Sequence, residues 1–223
     1  MERTMIQEVS DKKIFLEQIT EDFISTVKSA IEKKGEAKIL LSGGSSPIEL
    51  YEKWSKLDLP WHAIQMGLVD ERFVDPTDEN SNELLINTHL LKNKAANASF
   101  LGMVFQTADI ISNLNSLENK YVHYFQSDYL LLGMGEDGHT ASIFPNDINS
   151  DLSFETEMLT AITNAPKYPY KRLTCTPKMI KSSSHVVLII SGEKKRNVFE
   201  EAEKKHLPIA KINAYIHKTF ILV

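Results

Sequence analysis

His139 stands two residues after Asp137 in the run Gly133-Met134-Gly135-Glu136-Asp137-Gly138-His139. An imidazole next to a carboxylate can take up a proton near neutral pH while the carboxylate orients the ring or stabilises the charge it gains. The two therefore read as a candidate base and its partner. A second run, Ser42-Gly43-Gly44-Ser45-Ser46-Pro47, supplies hydroxyls and glycines through which backbone can approach a ligand. It leads into Ser46-Pro47-Ile48-Glu49, which combines a capping box with proline at the first helical position. Free N–H groups at such a helix start favour phosphate or another anion; the bland alternative is an ordinary glycine turn. Asp70-Glu71-Arg72 adds two carboxylates beside a guanidinium, and one of the two can be no more than a solvated loop charge. Arg172 opens a further apolar segment, and Lys195 lies in the first turn after Ser191-Gly192. Cations at a helix start oppose the helix dipole, so Lys194, Lys195 and Arg196 either meet an anion or form a solvated basic face.

These groups can act together only if the elements between them converge. Residues 12–34 carry Leu16, Ile19, Phe23, Val27 and Ile31 at helical steps among charges, which lays one apolar stripe on a helix. Residues 37–41 are short, apolar and bounded by glycines, as a buried parallel strand requires. The pattern then repeats. Residues 64–69 read as a strand, followed by a polar loop to Asn80 and a helix over 81–91, capped by Asn80 or Ser81 with Glu83 in its first turn. A short strand over 99–104, a helix over about 108–125 and a strand over 128–132 follow. Residues 159–163, 172–176 and 185–190 read as strands, 193–204 as a helix and 220–223 as a last strand. The alternation predicts one α/β domain over residues 1–223 with a mostly parallel sheet covered on both faces. In such a sheet ligands bind beyond the carboxyl ends of the strands, so the loops after Leu41, Val69, Leu132 and Ile190 should meet.

Composition narrows the chemistry. With 223 residues, 42% apolar and 25% charged, the chain has the make-up of a globular protein with a sizeable core. A net charge of −5 argues against a nucleic-acid footprint or a polybasic membrane surface. The lone Cys175 reads as a core residue, and a polar start without an apolar signal segment points to a cytoplasmic protein. The run 78–83 looks like a calcium loop, but Glu83 holds its sixth place and His89 its twelfth, where glycine and glutamate are needed. Residues 133–138 spell G-x-G-x-x-G, yet Pro145 soon interrupts any helix a dinucleotide would need. No Walker-type lysine follows either glycine loop, and no G-x-S-x-G elbow is present. The other six histidines (62, 89, 123, 185, 206 and 217) read as flanking residues without partners or metal-ligand spacing, so neither cofactor nor metal is expected.

Taken together, the run 42–47, Asp70-Glu71-Arg72 with Ser81-Asn82, and the run 133–145 resemble the glucosamine-6-phosphate isomerase/6-phosphogluconolactonase family. The likeness continues through Ala165-Pro166-Lys167, Arg172-Leu173-Thr174 and Ser191-Gly192-Glu193-Lys194-Lys195, nearly the whole chain. Departures are conservative: Ser46 where threonine is common, and Pro76 displaced one place by Asp75. The resemblance implies a Rossmann-like three-layer α/β/α fold with a mostly parallel sheet, of the type shared by glucosamine-6-phosphate deaminase, ribose-5-phosphate isomerase and coenzyme A transferases. Deaminases continue their Asp-Gly-His loop toward Ala-Phe-Asn-Glu, where this chain has Ala141-Ser142-Ile143-Phe144-Pro145. The implied activity is therefore hydrolysis of 6-phospho-D-glucono-1,5-lactone in the oxidative pentose phosphate pathway. In that reading Ser42, Gly43, Gly44, Ser45 and Ser46 clamp the phosphate with Arg172 and Lys195. His139 deprotonates water with Asp137 orienting it, and Asp70 and Arg72 face the substrate. Backbone N–H groups of 133–138, Gly135 included, stabilise the oxyanion. The implied partner is a small sugar-phosphate lactone, with no nucleic acid or membrane, and the chain a monomer or weak homodimer. The competing readings are an isomerase or deaminase on the same fold and a non-catalytic sugar-phosphate sensor.

Overall fold

Helix α1 (Lys12–Lys34) follows a first strand, β1 (Met5–Val9), in a computed structural model that describes residues 4–223. Next come β2 (Ala37–Leu41), α2 (Ile48–Trp54), β3 (Ile64–Leu68), β4 (Asp70–Arg72), α3 (Asn82–His89) and β5 (Ser99–Leu101). The chain continues through α4 (Ile110–Tyr121), β6 (Tyr129–Gly133), α5 (Ile148–Leu152), β7 (Thr160–Asn164) and β8 (Lys171–Cys175). It ends with α6 (Pro177–Ser182), β9 (Val186–Ser191), α7 (Glu193–Glu200), α8 (Pro208–Ile212) and β10 (Lys218–Leu222).

The apolar stripe of α1 forms as its spacing predicts, with Ile19, Phe23 and Val27 fully buried and Leu16 and Ile31 half-buried against the core. Phe23 stacks on Trp54 of α2 with ring centroids 3.8 Å apart and meets Tyr129 of β6 edge-on at 5.3 Å. One aromatic cluster thus fixes both helices on the sheet. Asp11 caps α1 by accepting the N–H groups of Lys13 and Ile14, and Gly35 (φ +80°) ends it.

Seven strands form a wholly parallel sheet in the order β1-β10-β9-β6-β2-β3-β5. From β2 the chain progresses outward through β3 to β5, and from β6 it progresses the other way through β9 to β10. The order therefore reverses between β2 and β6, where open sheets of this kind hold their ligands. Leu41 is level with Leu68 and Leu131, and Gly133 with Ile189, so the carboxyl ends of β2, β3, β6 and β9 share one edge.

Beside the expected mostly parallel sheet stands a second one that the alternation of strands and helices does not announce. β4, β8 and β7 form a separate antiparallel sheet, with Asp70 opposite Thr174 and Arg72 opposite Arg172. The residues read as a polar loop after Val69 are its edge strand. The two sheets are joined at Val69, which donates to the Leu41 carbonyl (2.9 Å) and accepts from the Cys175 N–H (2.7 Å). Among the described residues no helix is long and apolar enough to cross a membrane.

Candidate active site

The turn after β2 exposes its backbone. Among the described residues, the N–H groups of Gly43, Gly44, Ser45 and Ser46 donate to no protein acceptor. Gly44 adopts φ +84°, a conformation that glycine enters without strain. The expected capping box does not form: Pro47 occupies the cap position without a side-chain hydrogen bond, and Glu49 pairs with Lys12 at 2.5 Å instead of reaching back. The Ser46 hydroxyl instead accepts from Lys195 Nζ at 3.4 Å. The Ser42 hydroxyl is spent on the Leu131 carbonyl (2.8 Å), which anchors the turn to β6 and removes that hydroxyl from the ligand set.

The basic run at the start of α7 divides. Lys194 pairs with Glu136 at 2.5 Å, and Arg196 with Glu8 at 3.2 Å and Glu200 at 3.1 Å. Among the described residues Lys195 has no carboxylate within ion-pair distance. Its charge, directed at the open turn after β2, is available to an anion.

On β4 the two neighbouring carboxylates have different work. Glu71, 1% exposed, accepts the N–H groups of Arg72 (2.7 Å), Asn82 (2.7 Å) and Glu83 (2.8 Å) and the Ser81 hydroxyl (3.0 Å). Burial pushes its carboxyl up to about 7 against the pull of those donors. Glu71 thus seats the start of α3, while Ser81 caps that helix. Asp70 faces the ligand side: Oδ2 accepts from Ser142 Oγ at 2.5 Å, and its carbonyl accepts Asn82 Nδ2 at 2.8 Å. Arg72 donates from Nη1 to the Asn80 carbonyl.

The loop after β6 closes on itself through Gly135 N–H to the His139 carbonyl (2.9 Å) and Gly138 N–H to the Gly135 carbonyl (3.1 Å). Gly138 has φ +78°. This closure brings His139 Nδ1 to 2.5 Å from Asp137 Oδ1 and tilts the imidazole against Phe144, with centroids 4.6 Å apart. Partial burial pushes the Asp137 carboxyl up, but the hydrogen bond and charge of His139 outweigh it and hold that carboxyl below the usual range. His139 Nε2 has no protein partner among the described residues. Because the Gly135 and Gly138 N–H groups are consumed inside the loop, neither is the oxyanion donor expected of it.

A cavity of about 210 Å³ is lined by the turn 42–47, Asp70, Arg72, Asn82, Gly135, His139 and Lys195. A neighbouring lobe of about 490 Å³ shares Asp70, Arg72 and His139 and adds Asp137, Lys167 and Arg172. Nearly every expected site residue lies in one of the two. Arg172 is not brought to the turn: 8% exposed, it donates to the Pro169 carbonyl in the second lobe, and burial with the nearby Arg72 charge lowers its guanidinium to about 10. Asn82 and Ser142 are the residues that the reading of single motifs left out of the site. Four of the six remaining histidines are partnered after all: His89 with Glu52, His185 with Asp22, His123 with Gln65 and His217 with the Val186 N–H.

A histidine–carboxylate pair and an unpaired lysine facing free backbone amides, at the switch point of a parallel sheet, define an enzyme that acts on a small anionic molecule. Residues 10–221 match the family described as glucosamine-6-phosphate isomerases/6-phosphogluconolactonase, and the chain belongs to it. A 6-phosphogluconolactonase of Helicobacter pylori is 39% identical over 199 residues, covering 87% of this chain and 86% of its own. One from Neisseria meningitidis is 36% identical over 82% of each chain. Among solved structures, a 6-phosphogluconolactonase from Shewanella baltica superposes with a TM-score of 0.91 at 26% identity, over 99% of this chain and 98% of the other. One from Thermotoga maritima gives 0.81 at 27% identity over 99% of both. These relatives place the chain with the family's lactone hydrolases.

Proposed function

We propose that the chain hydrolyses 6-phospho-D-glucono-1,5-lactone to 6-phosphogluconate with His139 as general base. The observation that carries this is the 2.5 Å contact between Asp137 and His139, whose ring lines the cavity that also holds Lys195 and the open turn. The phosphate rests on the N–H groups of residues 43–46 and on Lys195, and the lactone ring extends toward the imidazole. His139 Nε2 takes a proton from water as the water oxygen adds to C1, and Asp137 stabilises the imidazolium. Negative charge on the former carbonyl oxygen faces Arg72, which borders both lobes. When the tetrahedral intermediate collapses, the C1–ring oxygen bond breaks and the imidazolium returns its proton to the departing oxygen. General-base assistance is typically worth ~10²–10⁴-fold, which suffices for an ester already activated as a lactone.

A coupled assay of 6-phosphogluconate formation tests the proposal, with the rate expected well above spontaneous opening. Ammonia release from glucosamine 6-phosphate at a comparable rate would move the chain to the isomerase side of its family. Tight binding of the lactone without acceleration would make it a sensor.

A further inference from the structure

Asn82 carries a polar atom that the proposed reaction leaves unused. The residue is 2% exposed and lines the same cavity as His139 and Lys195. Nδ2 donates to the Asp70 carbonyl at 2.8 Å, which fixes the orientation of the amide, and Oδ1 is buried without any hydrogen-bond partner. A buried acceptor left unpaired is costly, so its retention in a ligand cavity points to a donor that arrives with the ligand. Only glycine at position 43 leaves room for that acceptor where it stands: a Cβ there would lie 1.9 Å from Oδ1. The residue is also held firmly, since its N–H is anchored on Glu71 at 2.7 Å in the first turn of α3.

We infer that Asn82 is a specificity-determining residue whose Oδ1 accepts a hydrogen bond from one ring hydroxyl of the sugar lactone. An amide oxygen repels a phosphate, and the cavity already offers the phosphate Lys195 and free N–H groups. The hydroxyls are the donors on such a substrate. This inference rests on the proposed lactonase reading.

The test compares kcat/KM for 6-phosphogluconolactone with its 2-, 3- and 4-deoxy analogues, using the intact chain and Asn82→Ala. Wild type should discriminate against one deoxy analogue by roughly 10–100-fold, as expected where a buried polar group is left unpaired. Asn82→Ala should lose a comparable factor on the full lactone and become indifferent to that one hydroxyl. Should Asn82→Ala not fold, Gly43→Ala replaces it; the added methyl displaces Oδ1 and should erode preference for the same hydroxyl above the others. Wild type accepting all three analogues within about threefold, or variants losing the same factor on every substrate, would overturn the inference while leaving the lactonase reading intact. Absence of wild-type turnover on the full lactone would overturn both.

Discussion

Asp137 Oδ1 lies 2.5 Å from His139 Nδ1, and this contact leaves the other nitrogen of a ring that lines the cavity, Nε2, without a protein partner among the described residues. The loop that makes it is short, closed by its own amides, and held to β6 by the Thr140 hydroxyl on the Gly133 carbonyl at 2.8 Å. Replacing His139 by alanine should lower kcat by about 10²–10⁴-fold with KM nearly unchanged, since the phosphate contacts lie elsewhere. Asp137→Asn should lower kcat less, because the amide can still contact the ring but no longer stabilises the positive charge it gains. Steady-state kinetics of both variants measure this, and a His139→Ala kcat within threefold of wild type, after subtracting spontaneous hydrolysis, would remove His139 as base.

Gly135 is the floor beneath that ring. A methyl at this position would come within 2.2 Å of His139 Cε1 and 2.6 Å of Asp137 Oδ1. Gly135→Ala should therefore fold, bind phosphorylated ligand, and lose kcat by a factor approaching that of His139→Ala, since small misplacements of a catalytic group cost about 10²-fold. Kinetics at saturating lactone decide; a kcat within threefold of wild type would show that the ring does not depend on the glycine.

Much of this arrangement was legible in the residues. The buried runs 37–41 and 64–69 announced strands because parallel strands are covered on both faces, and the loops beyond them carry the chemistry for the same topological reason. The antiparallel sheet was not legible. Asp70-Glu71-Arg72 has no apolar residue to reveal a strand, and the partner it pairs with, β8, lies far along the chain, with Asp70 opposite Thr174 and Arg72 opposite Arg172. The part played by Asn82 was hidden likewise, because an unpaired amide oxygen is a property of three-dimensional surroundings. Ser46 read as a cap because local spacing cannot reveal that Lys195 would claim its hydroxyl.

Lys195 and Arg172, grouped together by charge, should separate by experiment. Lys195 faces the turn and Arg172 lies in the second lobe on the Pro169 carbonyl. Lys195→Ala should raise KM for the phosphorylated lactone by roughly 10–100-fold, the worth of one charge-assisted contact of about 1.5–3 kcal/mol, and reduce the preference over unphosphorylated gluconolactone equally. Arg172→Ala should leave that preference within a fewfold of wild type. If the two variants lost it to the same extent, the phosphate would have to reach into the second lobe.

Glu71 couples the seat of α3 to pH. Its carboxyl is pushed by burial from the usual 4.5 up to about 7. Between those values the folded chain holds a proton that the unfolded chain has released, so stability falls as pH rises through this window. The neutral carboxyl's contribution is complete below about 4.5 and gone above about 7. Glutamine does not titrate, so the melting temperature of wild type relative to Glu71→Gln should fall from pH 5 to pH 8. A tenfold difference in proton affinity between the folded and unfolded chain is worth about 1.4 kcal/mol, which for a chain of this size makes the change several degrees. Thermal unfolding of both proteins at the two pH values, at fixed ionic strength, measures it. A difference independent of pH would mean that the four donors keep Glu71 charged throughout, and Asn82 would then be held in place equally well across the working range of the enzyme.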